Sequence, residues 1–382
     1  MGRVGIIGVG FYGFRPTSSE VSFREMIFRA AQRAYENAGG IDPRSDVDAF
    51  ISCQEDFWEG IAIANEFMPD QLGGVLKPGF TVAGDSLQCL LNAYAMIKTG
   101  AFDVVVIESH GKPSEILSMR DIILFSYDPI YIRPIEPRNI HFLAALEARS
   151  FMNRENLDRE DLGEYVVRSL RRGLDSSRGA YSTSITLDDY IREQIIIDPF
   201  TRFDIASFID SAVVVVLASE NIARKFVDTP VWILGVWSVS GSPTHVYDDL
   251  SVDSVAREAA DRVFRLSGLR NPLREIDVLE LDERYSHTPL MVLKSIGFSS
   301  DLKRDLASGR FDRDGELPVN PSGGALSEGN PLEVHGLARV VAAYEQLMVR
   351  AGSSQIEGVE RVLIHSRRWP SSRTTTIAVL SR

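Results

Sequence analysis

Cysteine and histidine are scarce in this chain, and positive charge is in deficit. Of 382 residues, Cys53 and Cys89 are the two that carry thiols. Two thiols make no disulfide framework, and these lack metal-ligand spacing, so Cys89 reads as a small apolar group inside a helix. The six histidines are scattered with no His-x-x-x-His pair, and no metal site is expected. Lysine plus arginine number 41 against 53 aspartate plus glutamate, a formal charge of −12. A nucleic-acid footprint needs clustered positive charge, which excludes that class. The short basic run Arg367, Arg368, Arg373 reads as a solvated loop. Long apolar runs are also missing. The richest, Val213–Ala218, is of strand length, against roughly 18 to 20 residues for a membrane helix. The start, Met-Gly-Arg-Val-Gly-Ile-Ile, enters a strand with no small-residue cleavage site, so the expected setting is cytoplasmic, off the membrane.

What is present is an α/β pattern stated twice. The first half reads as a strand (Arg3–Val9), a helix with apolar residues at helical spacing (Phe23–Ala38) and a strand ending at Cys53. A helix (Leu87–Lys98) and the apolar strands Asp103–Glu108 and Ser211–Ser219 follow. The second half repeats the order with Val231–Trp237, a helix at Ser254–Leu266, Ile276–Leu281, a helix at Leu337–Val349, Val362–His365 and Thr375–Leu380. Continuous Val/Ile/Leu strands are those of a sheet covered on both faces, and two halves in one order imply a duplication. The stretch from about 111 to 199 has no counterpart and is expected to lie over the first half as a wall or lid.

Residues 319–339 carry the densest signal. Val-Asn-Pro-Ser-Gly-Gly-Ala-Leu-Ser-Glu-Gly-Asn-Pro-Leu-Glu-Val-His-Gly-Leu-Ala-Arg packs two glycine-rich turns and a helix start, which is how a backbone is brought close to a ligand. The segment closely resembles the active-site segment of thiolases of the sterol-carrier-protein type. Asp198–Ala212, Ile276–Ser286 and Gly358–His365 are similar to further segments of that family, so the resemblance covers nearly the whole chain. It implies a thiolase fold, two duplicated βαβαβ halves in a five-layer α-β-α-β-α sandwich. Residues 1–225 would form the N-terminal half, with its insertion, and 226–382 the C-terminal half. It also implies a coenzyme A thioester as substrate or ligand, met by Ser322, Gly323 and Gly324. A homodimer through a strand near Phe80–Val82 follows from the same likeness, as does a small OB-fold/zinc-ribbon acyl-CoA-binding partner.

The chain departs from the family at the positions that carry chemistry. The family's Gly-His-Pro turn is Gly329-Asn330-Pro331 here, so an amide stands for the histidine that polarises the thioester. The nucleophilic cysteine, which a helix N-terminus activates, aligns with Ala83, and one or two residues of slack reach Asp85 or Ser86. Asp85 reads as a helix cap. The His-Asp-Cys-Phe quartet has become Asp282-Glu283-Arg284-Tyr285, with an ion pair from Arg284 to Asp282 or Glu283 expected. Aldolases of this family place a tyrosine at the quartet's first position, where this chain has it fourth. The candidate catalytic set is Ser86, Asp282, Tyr285, Asn330 and His365; His287 and His335 read as polar residues at loop–helix boundaries. Gly8, Gly10 and Gly13 satisfy a dinucleotide fingerprint, but Phe14-Arg-Pro16 follows where a helix must open, so NAD is not expected and a close turn is. The function these residues imply is a thiolase-like protein that acts on or binds acyl-CoA thioesters as a partner or scaffold. The alternatives are an acyltransferase or retro-aldolase with a non-cysteine or displaced nucleophile or base, or an acetyl-CoA acyltransferase with Cys89 as nucleophile.

Overall fold

The computed structural model describes residues 2–56, 64–135, 139–242, 249–370 and 373–382. The strands of its main sheet are β1 (Val4–Arg15), β2 (Ala49–Cys53), β3 (Gly79–Val82), β4 (Val104–Gly111), β5 (Asp210–Ser219), β6 (Val231–Ser240), β7 (Val278–Glu280), β8 (Arg361–Arg367) and β9 (Thr374–Ser381). The longer helices are α1 (Phe23–Asn37), α2 (Leu87–Lys98), α3 (Phe142–Glu155), α4 (Arg159–Arg172), α5 (Ser254–Leu266), α6 (His287–Ser295) and α7 (His335–Leu347).

Strand order across the sheet is β3-β2-β4-β5-β1-β6-β9-β8-β7. The first five strands and the last four are the same arrangement twice. β2 and β4 run parallel, then β4, β5 and β1 alternate antiparallel. In the same way β7 and β8 run parallel, and β8, β9 and β6 alternate. Val319 bridges Leu279 in parallel, where β3 pairs with β2 in the first set. The sets join through β1 and β6 at Gly5–Trp232 and Ile6–Val231.

Alternating residues along each strand serve different layers, as strand geometry requires. Val105, Ile107, Val213 and Val215 face the central helices α2 and α7, and Ile364 and Ala378 meet the same helices from the other set. Val104, Val106, Val214 and Val216 face outward onto α1, and Leu363, Ile377 and Val379 onto α5 and α6. The result is the expected helix-sheet-helix-sheet-helix sandwich. α1 is amphipathic, capped by Ser22 and buried through Met26, Ile27, Ala30, Ala31 and Ala34. α7, sandwiched between sheets, is buried nearly all round.

Two expectations are corrected. Gly8, Gly10 and Gly13 lie inside β1, which runs on to Arg15, so they form no turn. A Cβ on Gly8 or Gly10 would strike the backbone of α1 at Ala34 and Ala30, so their absent side chains let helix and strand close. The insertion's main helices pack on the second set: Phe151, Met152, Leu162 and Tyr165 share a core with Leu290, Phe298 and Val379.

Candidate functional site

Two helix N-termini meet in the central layer. Ser86 precedes α2, and its hydroxyl accepts from the amide of Leu337 in α7 at 2.8 Å, while its own amide donates to the Glu333 carbonyl at 2.9 Å. The contact is close because residue 336 is glycine; a Cβ there would lie 2.7 Å from that of Leu87. Ser86 therefore spends its hydroxyl on capping the partner helix, a structural use that the nucleophile assignment did not foresee.

Asp85, one residue earlier, reaches the site. It lines a small cleft together with Glu55, Arg284, Leu332, Glu333, Arg368 and Trp369. One carboxylate oxygen accepts from the Leu87 amide at 3.0 Å, the cap read from the sequence. The other accepts from Ser366 Oγ at 2.8 Å and lies 3.7 Å from the Arg284 guanidinium. Burial pushes the Asp85 carboxyl up to about 7, against the pull of Arg284.

The altered quartet supplies one of the cleft's two cations. Arg284 pairs with Asp282, as one of the two expected ion pairs, and donates to the carbonyls of Leu332 and Arg367. Burial opposes ionisation of Asp282, yet Arg284 and His335 hold its carboxyl well below the usual range. Glu283 turns the other way, accepting from Ser169 at 2.8 Å and from Tyr165, with burial raising its pKa. Leu332 stands in the left-handed region at φ 58°, strained for a branched side chain. Its amide donates to the Asn330 side chain at 3.0 Å. Asn330 thus holds the Leu332 carbonyl toward Arg284 and is not among the cleft-lining residues.

The remaining expected residues are distributed around this centre. His365 is buried behind it, its Nδ1 accepting from the Asp282 amide at 3.4 Å, and burial lowers its pKa to about 4. Tyr285 points into an apolar cluster under the insertion, 3.0 Å from His141 Nδ1 and stacked on Phe200; burial raises its pKa. Gly323 and Gly324 sit at φ 103° and 59°, where a Cβ would meet Gly173 and the Glu283 carboxylate. What those glycines admit in the structure is the protein's own chain. Ser322 Oγ is buried without a hydrogen-bond partner.

The sequence reading places His335 at the start of α7, as the structure does, but does not identify Ser366 or Glu55. It also misread the basic run. Arg367 is half-buried and pairs with Glu147 at 2.7 Å, Arg373 is buried 3.6 Å from Glu147, and Arg368 pairs with Glu55. Cys53 and Cys89 are joined in a disulfide between β2 and α2, which corrects the reading of Cys89 as a free apolar filler. Among the described residues no cluster of three metal-ligating side chains occurs, and no helix is long and apolar enough to cross a membrane.

Residues 238–382 match the family model described as thiolase C-terminal domain-like. The acetyl-CoA acetyltransferase of Methanothermobacter thermautotrophicus is 26% identical over 376 residues, covering 96% of this chain and 96% of that one. Sterol carrier protein 2 of Oryctolagus cuniculus is 30% identical over 194 residues, which is 49% of this chain and 35% of that protein. The structure of an Ltp2-ChsH2(DUF35) aldolase superposes with a TM-score of 0.85 at 22% identity, covering 99% of this chain and 97% of that one. The chain thus has the thiolase fold, carries a thiolase C-terminal domain-like segment, and is similar along its length to thiolase-superfamily proteins, those of the sterol-carrier-protein type among them.

Proposed function

We propose that the chain processes coenzyme A thioesters by proton transfer, making or breaking a carbon–carbon bond without an acyl-enzyme. The observation that carries this reading is the chemistry of the cleft. A carboxyl that titrates near neutrality faces it beside two arginines, and both cysteines are bonded to each other away from its lining. A retro-aldol step balances with these groups. Asp85 as carboxylate takes the proton of the 3-hydroxyl, the C2–C3 bond breaks, and its electrons form the thioester enolate. The enolate then takes the proton back from Asp85 at C2. Positive charge from Arg284 and Arg368 suits the developing oxyanion. The likeness to an aldolase supports the same class, and its name pairs Ltp2 with ChsH2(DUF35), which supports a second polypeptide in the working assembly. The chain is further proposed to form a homodimer through β3.

A second reading, a binding partner or scaffold that no longer catalyses, is favoured by one observation: the Arg284 guanidinium is already engaged by Asp282 and two carbonyls.

The experiment is to incubate the protein with acyl-CoA and 3-hydroxyacyl-CoA thioesters, following products by chromatography and adducts by mass spectrometry. Cleavage without adduct is expected, and Asp85→Asn should lower kcat/KM by roughly 10²-fold or more. An acyl adduct on Ser86 or Cys89 overturns the reading. Thioester binding without turnover favours the scaffold.

A further inference from the structure

Ser366 joins Asp85 to a histidine that the proposed chemistry leaves unused. His335, at the first turn of α7, has its Nδ1 2.9 Å from Ser366 Oγ. Its other nitrogen, Nε2, is buried, has no hydrogen-bond partner and faces an Asp282 oxygen 3.9 Å away. The side chains of Asp85, Ser366, His335 and Asp282 are all withdrawn from solvent. They come from four places in the chain: the start of α2, the end of β8, the start of α7 and the loop after β7.

A serine hydroxyl has one proton and cannot donate to both neighbours. With Asp85 ionised, Ser366 donates to Asp85, His335 Nδ1–H donates to Ser366, and the Nε2 lone pair faces the Asp282 carboxylate. With Asp85 protonated every direction reverses: Asp85 donates to Ser366, Ser366 donates to Nδ1, and His335 carries its single proton on Nε2, toward Asp282. The two states differ by one proton, taken up at Nε2 and passed as Nδ1–H to Ser366 and Ser366 O–H to Asp85. We propose that Asp85, Ser366 and His335 form a proton relay whose far end is Asp282, with Ser366 and His335 as positioning residues for the Asp85 carboxyl. The inference rests on the reading of Asp85 as the acid/base of the cleft.

The surrounding charges fit both states. Arg284, 3.7 Å from Asp85, favours the ionised form. Asp282 opposes a bare Nε2 lone pair and so favours the protonated one, an influence that reaches Asp85 through the imidazole. Glu55, Glu333 and Arg368 face Asp85 across the cleft, and His365 and Arg284 face His335. Burial lowers the His335 pKa to about 3, so the ring stays neutral and changes tautomer rather than charge.

The test is ¹⁵N-histidine NMR on the full chain between about pH 5.5 and 8.5, with no substrate, the His335 signals identified by their loss in His335→Asn. The neutral ring should pass from the Nε2–H to the Nδ1–H tautomer as pH rises, with a midpoint matching that of the Asp85 carboxyl band lost from the infrared spectrum in Asp85→Asn. In Asp85→Asn and Ser366→Ala the tautomer should be independent of pH, and Ser366→Thr should restore the switch. A single His335 tautomer across the range in the wild-type protein, with the carboxyl still titrating, overturns the relay. Because the readout needs no turnover, its failure and that of the proposed function are separable. A protein that shows the switch but cleaves no thioester keeps the relay and loses the aldolase reading.

Discussion

Arg339 Nη1 donates to Glu280 Oε2 at 2.9 Å between two side chains that solvent does not reach. The same guanidinium pairs with Glu328, which also accepts from Arg178 at 3.0 Å, and Arg178 reaches Glu345 at 2.5 Å. The network ties the glycine-rich segment to β7, α7 and the insertion. Removing Arg339 leaves the buried Glu280 without its cation, while Glu328 keeps Arg178. Arg339→Ala should cost roughly 3–5 kcal/mol, read as a lower midpoint in urea denaturation. A change below 1 kcal/mol would mean that Arg178 alone satisfies both acids.

Acid should unfold the protein through its buried histidines. Burial lowers His365 to about 4 from 6.5, so the unfolded chain binds that proton more tightly. The stability His365 contributes is therefore present above about pH 6.5 and lost as pH falls toward 4, on the order of 3 kcal/mol. His365→Asn keeps an acceptor for the Asp282 amide and cannot titrate. Its melting temperature should fall less than that of the wild type between those pH values.

Asp85 carries the opposite sign. Its folded pKa is raised from 3.8 to about 7, so its contribution is full below about pH 4 and is lost as pH rises through 7. Asp85→Asn should be more stable than the wild type at pH 8, and that gain should vanish at pH 4, as calorimetry at the two values will show.

The disulfide is expected to matter for stability and not for chemistry. It closes a loop across 36 positions of sequence, for which chain entropy gives roughly 3–4 kcal/mol. The variant Cys53→Ala/Cys89→Ala should melt lower yet process thioester within a few-fold of wild type. Loss of turnover in a folded variant would return the thiols to the mechanism.

β3 is the end strand of the sheet, with Phe80 44% exposed. Such an edge invites pairing with another chain. Phe80→Lys should shift sedimentation from dimer to monomer while the melting curve stays cooperative; a protein that is monomeric at the outset removes β3 from the interface.

Local and periodic features were legible in the sequence. α2 and α5 begin and end where apolar spacing placed them, and the duplicated strand order followed from the Val/Ile runs. The Asp85 cap was legible because it lies within two residues of its donor. Pairings across the chain were not. The Arg367–Glu147 pair spans 220 positions, so the basic run looked solvated when read alone. The Cys53–Cys89 bond depends on the register of a strand against a helix face, which spacing does not contain. What the insertion's helices pack against is illegible for the same reason, since their apolar positions show that they are covered and not by what.

Because Ser86 caps α7 and Ser366 bonds Asp85 across 281 positions, the cleft has a history during synthesis. Its early residues leave the ribosome long before the groups that complete them. Until β8 and α7 emerge, the first strand set must hold a buried-type aspartate and an unfilled helix-layer face open to water. A nascent chain stalled within the second set would therefore be a client for holding chaperones, and the cleft would be complete only when the last strands dock.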